Sequence, residues 1–189
     1  MKSAIVRVEA RRATPETFAP FGIYVARPER EHDWGASGSR IDGVTEAARS
    51  SGKEIARLWN LGDLTFGDES PYVGFVKYFN QGFQVAQLER HALETQTWIA
   101  QSGSGYLVVA PATPPSLAPS PESAQAFLID PGDVVVIGKG VWMCHFFPTG
   151  ETAEYAVVTA RRAPEQDRDL MDFVKTANTI LEITPPPGR

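Results

Sequence analysis

The sequence has little sulfur and no long apolar run. Cys144 is the single cysteine among 189 residues, so no internal disulfide can form. The N-terminal MKSAIVRVEARR lacks the apolar run of a signal peptide, and no stretch reaches the length of a membrane span. These absences predict a cytoplasmic protein that does not enter membranes.

Basic charge is also scarce. Lys and Arg together number 18 against 23 Asp and Glu, which gives a formal net charge of −5. A nucleic-acid-binding surface needs clustered basic residues. The pairs Arg11-Arg12 and Arg161-Arg162 are too short to form one, so we expect no nucleic-acid partner.

Turn-forming residues are abundant. The chain has 16 Gly and 15 Pro, which separate short apolar runs. The length fits one domain over residues 1–189. Strand-like runs recur about every ten residues, with no helical period between them, and this spacing is typical of all-β jelly rolls and barrels. The sequence therefore predicts an all-β fold.

Two helices and two long loops complete the prediction. Thr14 is a suitable N-cap for a short helix that begins at Pro15. Apolar residues at helical spacing predict a C-terminal helix over residues 170–181, on the barrel or on a partner. Residues 27–52 are expected to form a long loop or lid, and the Pro-rich residues 111–121 an irregular loop.

The segment from Leu88 to Trp98 carries the clearest chemical signal. Strand alternation puts Glu89 and His91 on one face and Arg90 on the other. A hairpin after His91 would bring Gln96 back beside them. A buried carboxylate, imidazole and amide are costly unless they pair with one another, a metal or a ligand. We therefore interpret Glu89, His91 and Gln96 as candidate catalytic residues.

Other polar or aromatic side chains are candidates for substrate binding, each with a simpler structural explanation. Lys139, in a Gly-flanked loop, could bind a carboxylate or be a solvated lysine. His145 is as consistent with a core histidine as with a site, and Trp142 with packing as with a pocket wall. Tyr78 and Asn80 point the same way from a neighbouring strand and could line the barrel.

Three motifs resemble those of the ureidoglycolate lyase family, whose members are small cupin barrels. The first reads Glu-Arg-His with a later Gln, the second contains Gly-Val-Trp, and the third joins Thr to two Phe and a Gly near the N-terminus. The matching positions here are Glu89, Arg90, His91 and Gln96; Gly140, Val141 and Trp142; and Thr14, Phe18, Phe21 and Gly22. The resemblance extends from residue 14 to about residue 160.

The resemblance implies a cupin-type jelly-roll barrel and a carbon–nitrogen lyase that eliminates urea from ureidoglycolate to give glyoxylate, in purine catabolism through allantoin. It also implies a homodimer. A divalent metal, nickel, zinc or manganese, would be held by His91, Glu89 and Gln96 if one binds. The lyases usually have histidines where this chain has Met143 and Cys144.

On this resemblance, His91 is the base for the substrate hydroxyl, or a ligand to a metal that polarises it. Glu89 orients His91 or donates a proton, Gln96 holds the urea amide, and Lys139 or Arg90 meets the carboxylate. Two other functions stay open. One is a cupin enzyme that acts on another small hydroxy acid, and the other is a non-catalytic binder of small carboxylates with a degenerate site. A structural homodimer module, joined through the C-terminal apolar stripe, is a further interpretation.

Overall fold

The computed structural model describes residues 3–27, 49–50, 53–54, 64–66, 68–161 and 167–186. The predicted loop or lid over residues 27–52 lies outside this part of the chain, except for Arg27 and the pair Arg49–Ser50.

Strands dominate the described residues and confirm the prediction of an all-β fold. The strands are β1 (Ala4–Arg12), β2 (Gly22–Val25), β3 (Arg49–Ser50), β4 (Lys53–Glu54), β5 (Pro71–Phe79), β6 (Gln84–Val85), β7 (Gln87–Arg90), β8 (Gln96–Ser102), β9 (Gly105–Ala110), β10 (Gln125–Ile129), β11 (Val134–Ile137), β12 (Trp142–Met143), β13 (Phe147–Pro148), β14 (Thr152–Ala160), β15 (Asp169–Asp172) and β16 (Thr179–Thr184). The helices are α1 (Pro15–Phe18), α2 (Phe173–Ala177) and a single 3₁₀ turn (Pro121–Ser123).

Two sheets form the body of the fold. The larger sheet has the order β15-β7-β12-β9-β10-β1-β16-β6, with β13 also paired to β9, and the smaller has the order β2-β11-β8-β14-β5. Strand β1 is parallel to both of its neighbours, β10 and β16. Only Ala86 separates β6 from β7, although these strands lie at opposite sides of the larger sheet. The larger sheet therefore curls back on itself.

The larger sheet buries apolar side chains on both faces, and β9 shows this most clearly. Leu107 and Val109 belong to a core that also contains Trp98 and Tyr155 of the smaller sheet, and we call it the inter-sheet core. Successive strand residues point to opposite faces, so Tyr106, Val108 and Ala110 of β9 belong to a second core, which lies inside the curl of the larger sheet. We call it the curl core. The continuous apolar run of β9 reflects this burial on both sides.

The N-terminal helix forms where the sequence predicts it. The Thr14 side chain accepts a hydrogen bond from the backbone N–H of Thr17 at 3.2 Å, and the Thr17 hydroxyl accepts one from the Thr14 N–H at 3.0 Å. This reciprocal pair is a capping box. Phe18 is buried against Phe127 in an edge-to-face contact, with ring centroids 5.2 Å apart. The helix thereby anchors the chain to the inter-sheet core.

The C-terminal helix is much shorter than predicted. The expected helix over residues 170–181 is limited to α2, with β15 before it and β16 after it. Asp172 caps the start of α2, and Asn178 ends it in a left-handed conformation with φ 48°. Leu181 is buried by strand alternation in β16, whereas Leu170 stays 56% exposed. The apolar stripe is therefore not one helical face. Between residues 111 and 120 the chain is irregular, as predicted.

Gly22 occupies a position that no other residue fits without strain. Its φ is +144°, and a Cβ there would lie 1.9 Å from the carbonyl oxygen of Val136 on the neighbouring strand. We predict that Gly22→Ala lowers the free energy of unfolding by about 1–3 kcal/mol, measured by chemical denaturation. The control is Gly150→Ala, where a Cβ meets nothing within 4 Å. If the two variants were equally stable, the predicted clash of a Cβ at residue 22 with the Val136 carbonyl would be wrong.

Candidate active site

The connection between β7 and β8 carries the candidate catalytic residues, and hydrogen bonds fix its path. The carbonyl of His91 accepts from Gly140 N–H at 2.7 Å. The backbone N–H groups of Ala92 and Leu93 donate to the two carboxylate oxygens of Asp167 at 2.9 and 2.8 Å. The connection is therefore held by the 138–140 loop on one side and by the C-terminal segment on the other.

Five side-chain polar atoms are buried without a hydrogen-bond partner in the described part of the chain. Four lie in this connection or at the start of β8, namely His91 Nδ1, Gln96 Oε1, Thr97 Oγ1 and Trp98 Nε1, and the fifth is the Tyr155 hydroxyl in the inter-sheet core. Gln96 and Trp98 are two residues apart in β8, so both side chains lie on the face that points into the inter-sheet core. Since buried polar groups in native proteins nearly always have a partner, these atoms identify a place where a ligand or water would be bound.

Glu94, which the sequence analysis did not single out, lies beside His91. The closest oxygen of its carboxylate, Oε1, is 3.8 Å from His91 Nδ1, and the two side chains are only 1% and 6% exposed. Glu94 also accepts hydrogen bonds from the Thr159 hydroxyl at 2.7 Å and from the Ala160 N–H. An i, i+3 Glu in a turn has no distinctive sequence pattern, and its partners lie far along the chain, so no local signal predicts this contact.

Glu89 is close to the site but already has a cationic partner. Its carboxylate accepts from Arg168 Nε at 2.6 Å, a contact that the sequence analysis also missed. Burial raises the pKa of Tyr78, and the charge of Glu89 adds to the rise. Partial burial lowers the pKa of His145, with Glu89 acting in the opposite direction. Glu89 therefore lies within electrostatic range of both rings.

Tyr78 packs against the far end of the inter-sheet core, whereas the neighbouring His145 is exposed and lies outside that core. Their rings stack with centroids 5.9 Å apart. Tyr78 pairs with Ala153, whereas Glu94 contacts Thr159, six residues further along β14, which is roughly 20 Å at about 3.3 Å per residue. The Tyr78 ring reaches Trp98, at 6.3 Å between centroids. Trp98 thus connects the two ends of the core.

Arg90 points away from the candidate site, as strand alternation predicts. Arg90 is 4% exposed, and its guanidinium donates to Asp169 at 2.8 Å and to the carbonyls of Thr113 and Pro115 at 2.9 and 3.2 Å. It also lies 4.6 Å from the ring centre of Trp142. Trp142 is a member of the curl core. Both side chains therefore hold the Pro-rich loop rather than face the site.

The remaining candidates are dispersed. Asn80 is exposed, and its amide donates to the carbonyls of Pro148 and Gly150, both at 3.1 Å. Lys139 is exposed in the loop that is bonded to His91. Met143 is 1% exposed in the inter-sheet core. Cys144 is buried in the curl core, and burial raises the pKa of its thiol to about 12, which makes it unreactive.

The donors do not fit a metal centre. No group of three or more His, Cys, Asp and Glu side chains converges within the described ranges. Glu89 is engaged with Arg168, and the thioether of Met143 is a poor ligand for a hard divalent ion. The chemistry that these side chains offer is therefore that of acids, bases and hydrogen bonds.

A separate depression of about 420 Å³ lies at the other end of β8. Its walls include Arg12, Tyr24, Asp130 and Asp133. Arg12 pairs with Asp130 at 3.2 Å, and the Tyr24 hydroxyl donates to Asp133 at 3.0 Å. These contacts hold the turn before β11 in place. The polar side chains that line the depression therefore have a role in the fold.

Comparison with known proteins identifies the family. A model of the ureidoglycolate lyase family matches residues 5–182. A ureidoglycolate lyase of Schizosaccharomyces pombe is 26% identical over 168 residues, which cover 85% of this chain and 88% of that protein. The chain belongs to the ureidoglycolate lyase family.

Among solved structures, oxalate decarboxylase of Bacillus subtilis, a protein with Mn(II) centres, is similar at a TM-score of 0.38 and 15% identity. A mutant of the same decarboxylase gives a TM-score of 0.37 at 14% identity. In both cases the match covers 55% of this chain and spans only 24% of the decarboxylase chain. None of the described helices is long and apolar enough to cross a membrane.

The contacts of Arg90 predict a role in stability rather than in substrate binding. We expect Arg90→Met to lower the free energy of unfolding by about 2 kcal/mol, because the carbonyls of the Pro-rich loop lose their donor. Arg7→Met is the control, since Arg7 is 75% exposed and pairs with Glu182 at the surface. Unchanged stability of the Arg90 variant, with a raised KM for substrate, would show that Arg90 binds substrate instead.

Proposed function

We propose that this protein eliminates urea from ureidoglycolate to give glyoxylate, as a carbon–nitrogen lyase of allantoin and purine catabolism. The hydroxyl loses its proton, the carbon–oxygen bond becomes the aldehyde, and the carbon–nitrogen bond breaks. The leaving nitrogen takes up a proton, so no other reactant is needed. The observation that carries this proposal is a family match over residues 5–182, a range that includes the connection whose buried polar atoms have no hydrogen-bond partner within the described ranges.

His91 is the general base of this proposal. Its Nδ1 atom faces Glu94 at 3.8 Å, so Nε2, at the opposite edge of the ring, is the nitrogen left for the substrate. Imidazole suits this step because one of its nitrogens can accept a proton while the other donates a hydrogen bond. The proton taken from the hydroxyl is returned by His91 to the leaving nitrogen. Glu89, already in an ion pair with Arg168, acts as an acceptor and not as the proton donor.

Gln96 and Trp98 are suited to the ureido group. A urea group has N–H donors and a carbonyl acceptor, and Gln96 Oε1 and Trp98 Nε1 offer one acceptor and one donor on the same face of β8, both buried and without a hydrogen-bond partner among the described residues. An unmet buried donor or acceptor costs about 1–3 kcal/mol. A bound ureido group would remove that cost, whereas a small carboxylic acid that lacks a ureido group would leave both atoms without a partner.

His91→Ala is expected to lower kcat for urea release from ureidoglycolate by about 10²- to 10⁴-fold, measured by quantifying urea. Added imidazole should restore part of the rate if the loss is chemical. A chelator should leave kcat of the wild type unchanged, since no step uses a metal. Full activity of the variant would reject His91 as the base. If chelation abolished activity and the purified protein contained nickel, zinc or manganese, a metal would take part in the reaction.

Lys139 is the proposed partner of the substrate carboxylate. Its loop is tied to the His91 backbone, and its side chain is exposed. Lys139→Met should raise KM about tenfold and change kcat little, because an ion pair with the carboxylate persists through the reaction. Lys175→Met, at an exposed ion pair on α2, is the control. If Arg168→Met raises KM and Lys139→Met does not, the carboxylate is bound by Arg168.

Met143 supports a second candidate function, that of a binding protein without catalysis. A buried thioether stands where family members usually carry an imidazole, and it can neither accept nor donate a catalytic proton. Thermal stabilisation by small carboxylates, without turnover of ureidoglycolate or other 2-hydroxy acids, would support this alternative. Turnover of a different hydroxy acid would instead support a cupin enzyme with another substrate.

The homodimer and the cytoplasmic location stay predictions. One face is suited to a second copy of this chain. The outward side of β5 carries Val73, Phe75 and Phe79, which are 63%, 81% and 60% exposed, and such an exposed apolar edge strand is usually covered. The mass in solution would show whether the pair forms.

A further inference from the structure

The carboxylate of Glu94 is the most deeply buried acidic group near the proposed base. Its side chain is 1% exposed. Its two oxygens are held from β14, Oε1 by the Thr159 hydroxyl at 2.7 Å and Oε2 by the Ala160 N–H. The carboxylate therefore has a defined orientation before any substrate arrives.

Oε1 of Glu94, which accepts the hydrogen bond from the Thr159 hydroxyl, also faces Nδ1 of His91. The Oε1–Nδ1 separation of 3.8 Å is longer than a hydrogen bond. However, Nδ1 is buried and has no partner within the described residues, and a carboxylate oxygen has room for two donors. A small rotation of the imidazole would close this contact, and no other described group competes for it.

We propose that Glu94 is the positioning residue of His91: it accepts a hydrogen bond from Nδ1–H and thereby keeps the lone pair of Nε2 free for the substrate. This inference rests on the proposed role of His91 as base, and it adds the group that selects the reactive tautomer. In the neutral ring only one of the two nitrogens carries the proton. A hydrogen-bond acceptor beside one nitrogen holds the proton there and leaves the other nitrogen unprotonated. Glu94 does not touch the substrate.

The simpler alternative is that Glu94 only ties the β7–β8 connection to β14. Removal of Glu94 would then cost stability but would leave the tautomer of His91 unchanged. The two roles separate in the variant Glu94→Gln, because the N–H of Ala160 determines how the new amide is oriented. The amide must present its carbonyl oxygen to that N–H, so its NH₂ group takes the place of Oε1.

The NH₂ group of the introduced amide would then donate toward Nδ1 of His91 and force this atom to be an acceptor. The proton of the neutral ring moves to Nε2, which can no longer act as a base. We expect kcat for urea release to fall by about 10²- to 10⁴-fold with little change in KM, as for other wrong-tautomer variants of a histidine base. Glu154→Gln, the same substitution at an exposed ion pair with Lys77, should leave kcat unchanged.

Nitrogen-15 NMR of the imidazoles gives a readout that does not depend on turnover. The chain has only 3 His, and the His91 signals are those lost in His91→Asn. At alkaline pH the wild type should carry its proton on Nδ1, and Glu94→Gln should carry it on Nε2. A wild-type ring protonated on Nε2 would overturn the inference without any variant, even if Glu94→Gln fails to fold.

The two proposals fail in different ways. If the tautomer switches in Glu94→Gln but the wild type releases no urea, Glu94 positions His91 and the proposed reaction is wrong. If urea is released but the tautomer and kcat are the same in Glu94→Gln and the wild type, Glu94 has a structural role only and the inference is rejected.

Discussion

The cost of burying polar groups is the constraint on which this structure depends. The inter-sheet core is mostly apolar. Among the described residues, one of its unmet polar groups, the Tyr155 hydroxyl, lies elsewhere in the core, and several others lie where β7 leads into β8. There, His91, Gln96 and Trp98 each bury a polar atom that has no partner in the described chain. A fold that keeps such atoms away from water gives up stability. The unmet groups of His91 and β8 are the basis on which we propose this end as the functional end of the core.

Strand β7 separates structural and chemical roles by its two faces. Leu88 and Arg90 face the curl core and the Pro-rich loop, where every strong contact of Arg90 is with the protein itself. Glu89, and His91 after it, face the other way. The C-terminal segment follows the same division, because Arg168 pairs with Glu89 and Asp169 with Arg90. The motif Glu-Arg-His therefore combines a carboxylate and an imidazole of the proposed site with one structural cation.

Local pattern predicted much of this arrangement, and long-range contact decided the rest. The all-β class, the cap at Thr14 and the opposite directions of Glu89 and Arg90 follow from turn residues and strand alternation. The C-terminal helix was expected to be too long because apolar spacing cannot show that residues 179–184 pair with β1. Glu94 and Arg168 were missed because their partners lie 65 and 79 residues away. Asn80 was assigned to the barrel lining from strand alternation alone, but its amide donates to the carbonyls of Pro148 and Gly150, just before β14.

The most direct test of the account is a crystal structure with ureidoacetate, the ureido acid that lacks the hydroxyl and cannot undergo elimination. We expect electron density at the His91 end of the inter-sheet core, with the ureido group on Gln96 and Trp98 and the α-carbon facing the Nε2 edge of His91. Density in the depression beside Arg12 and Asp133, or a His91 ring packed without space for the ligand, would contradict it.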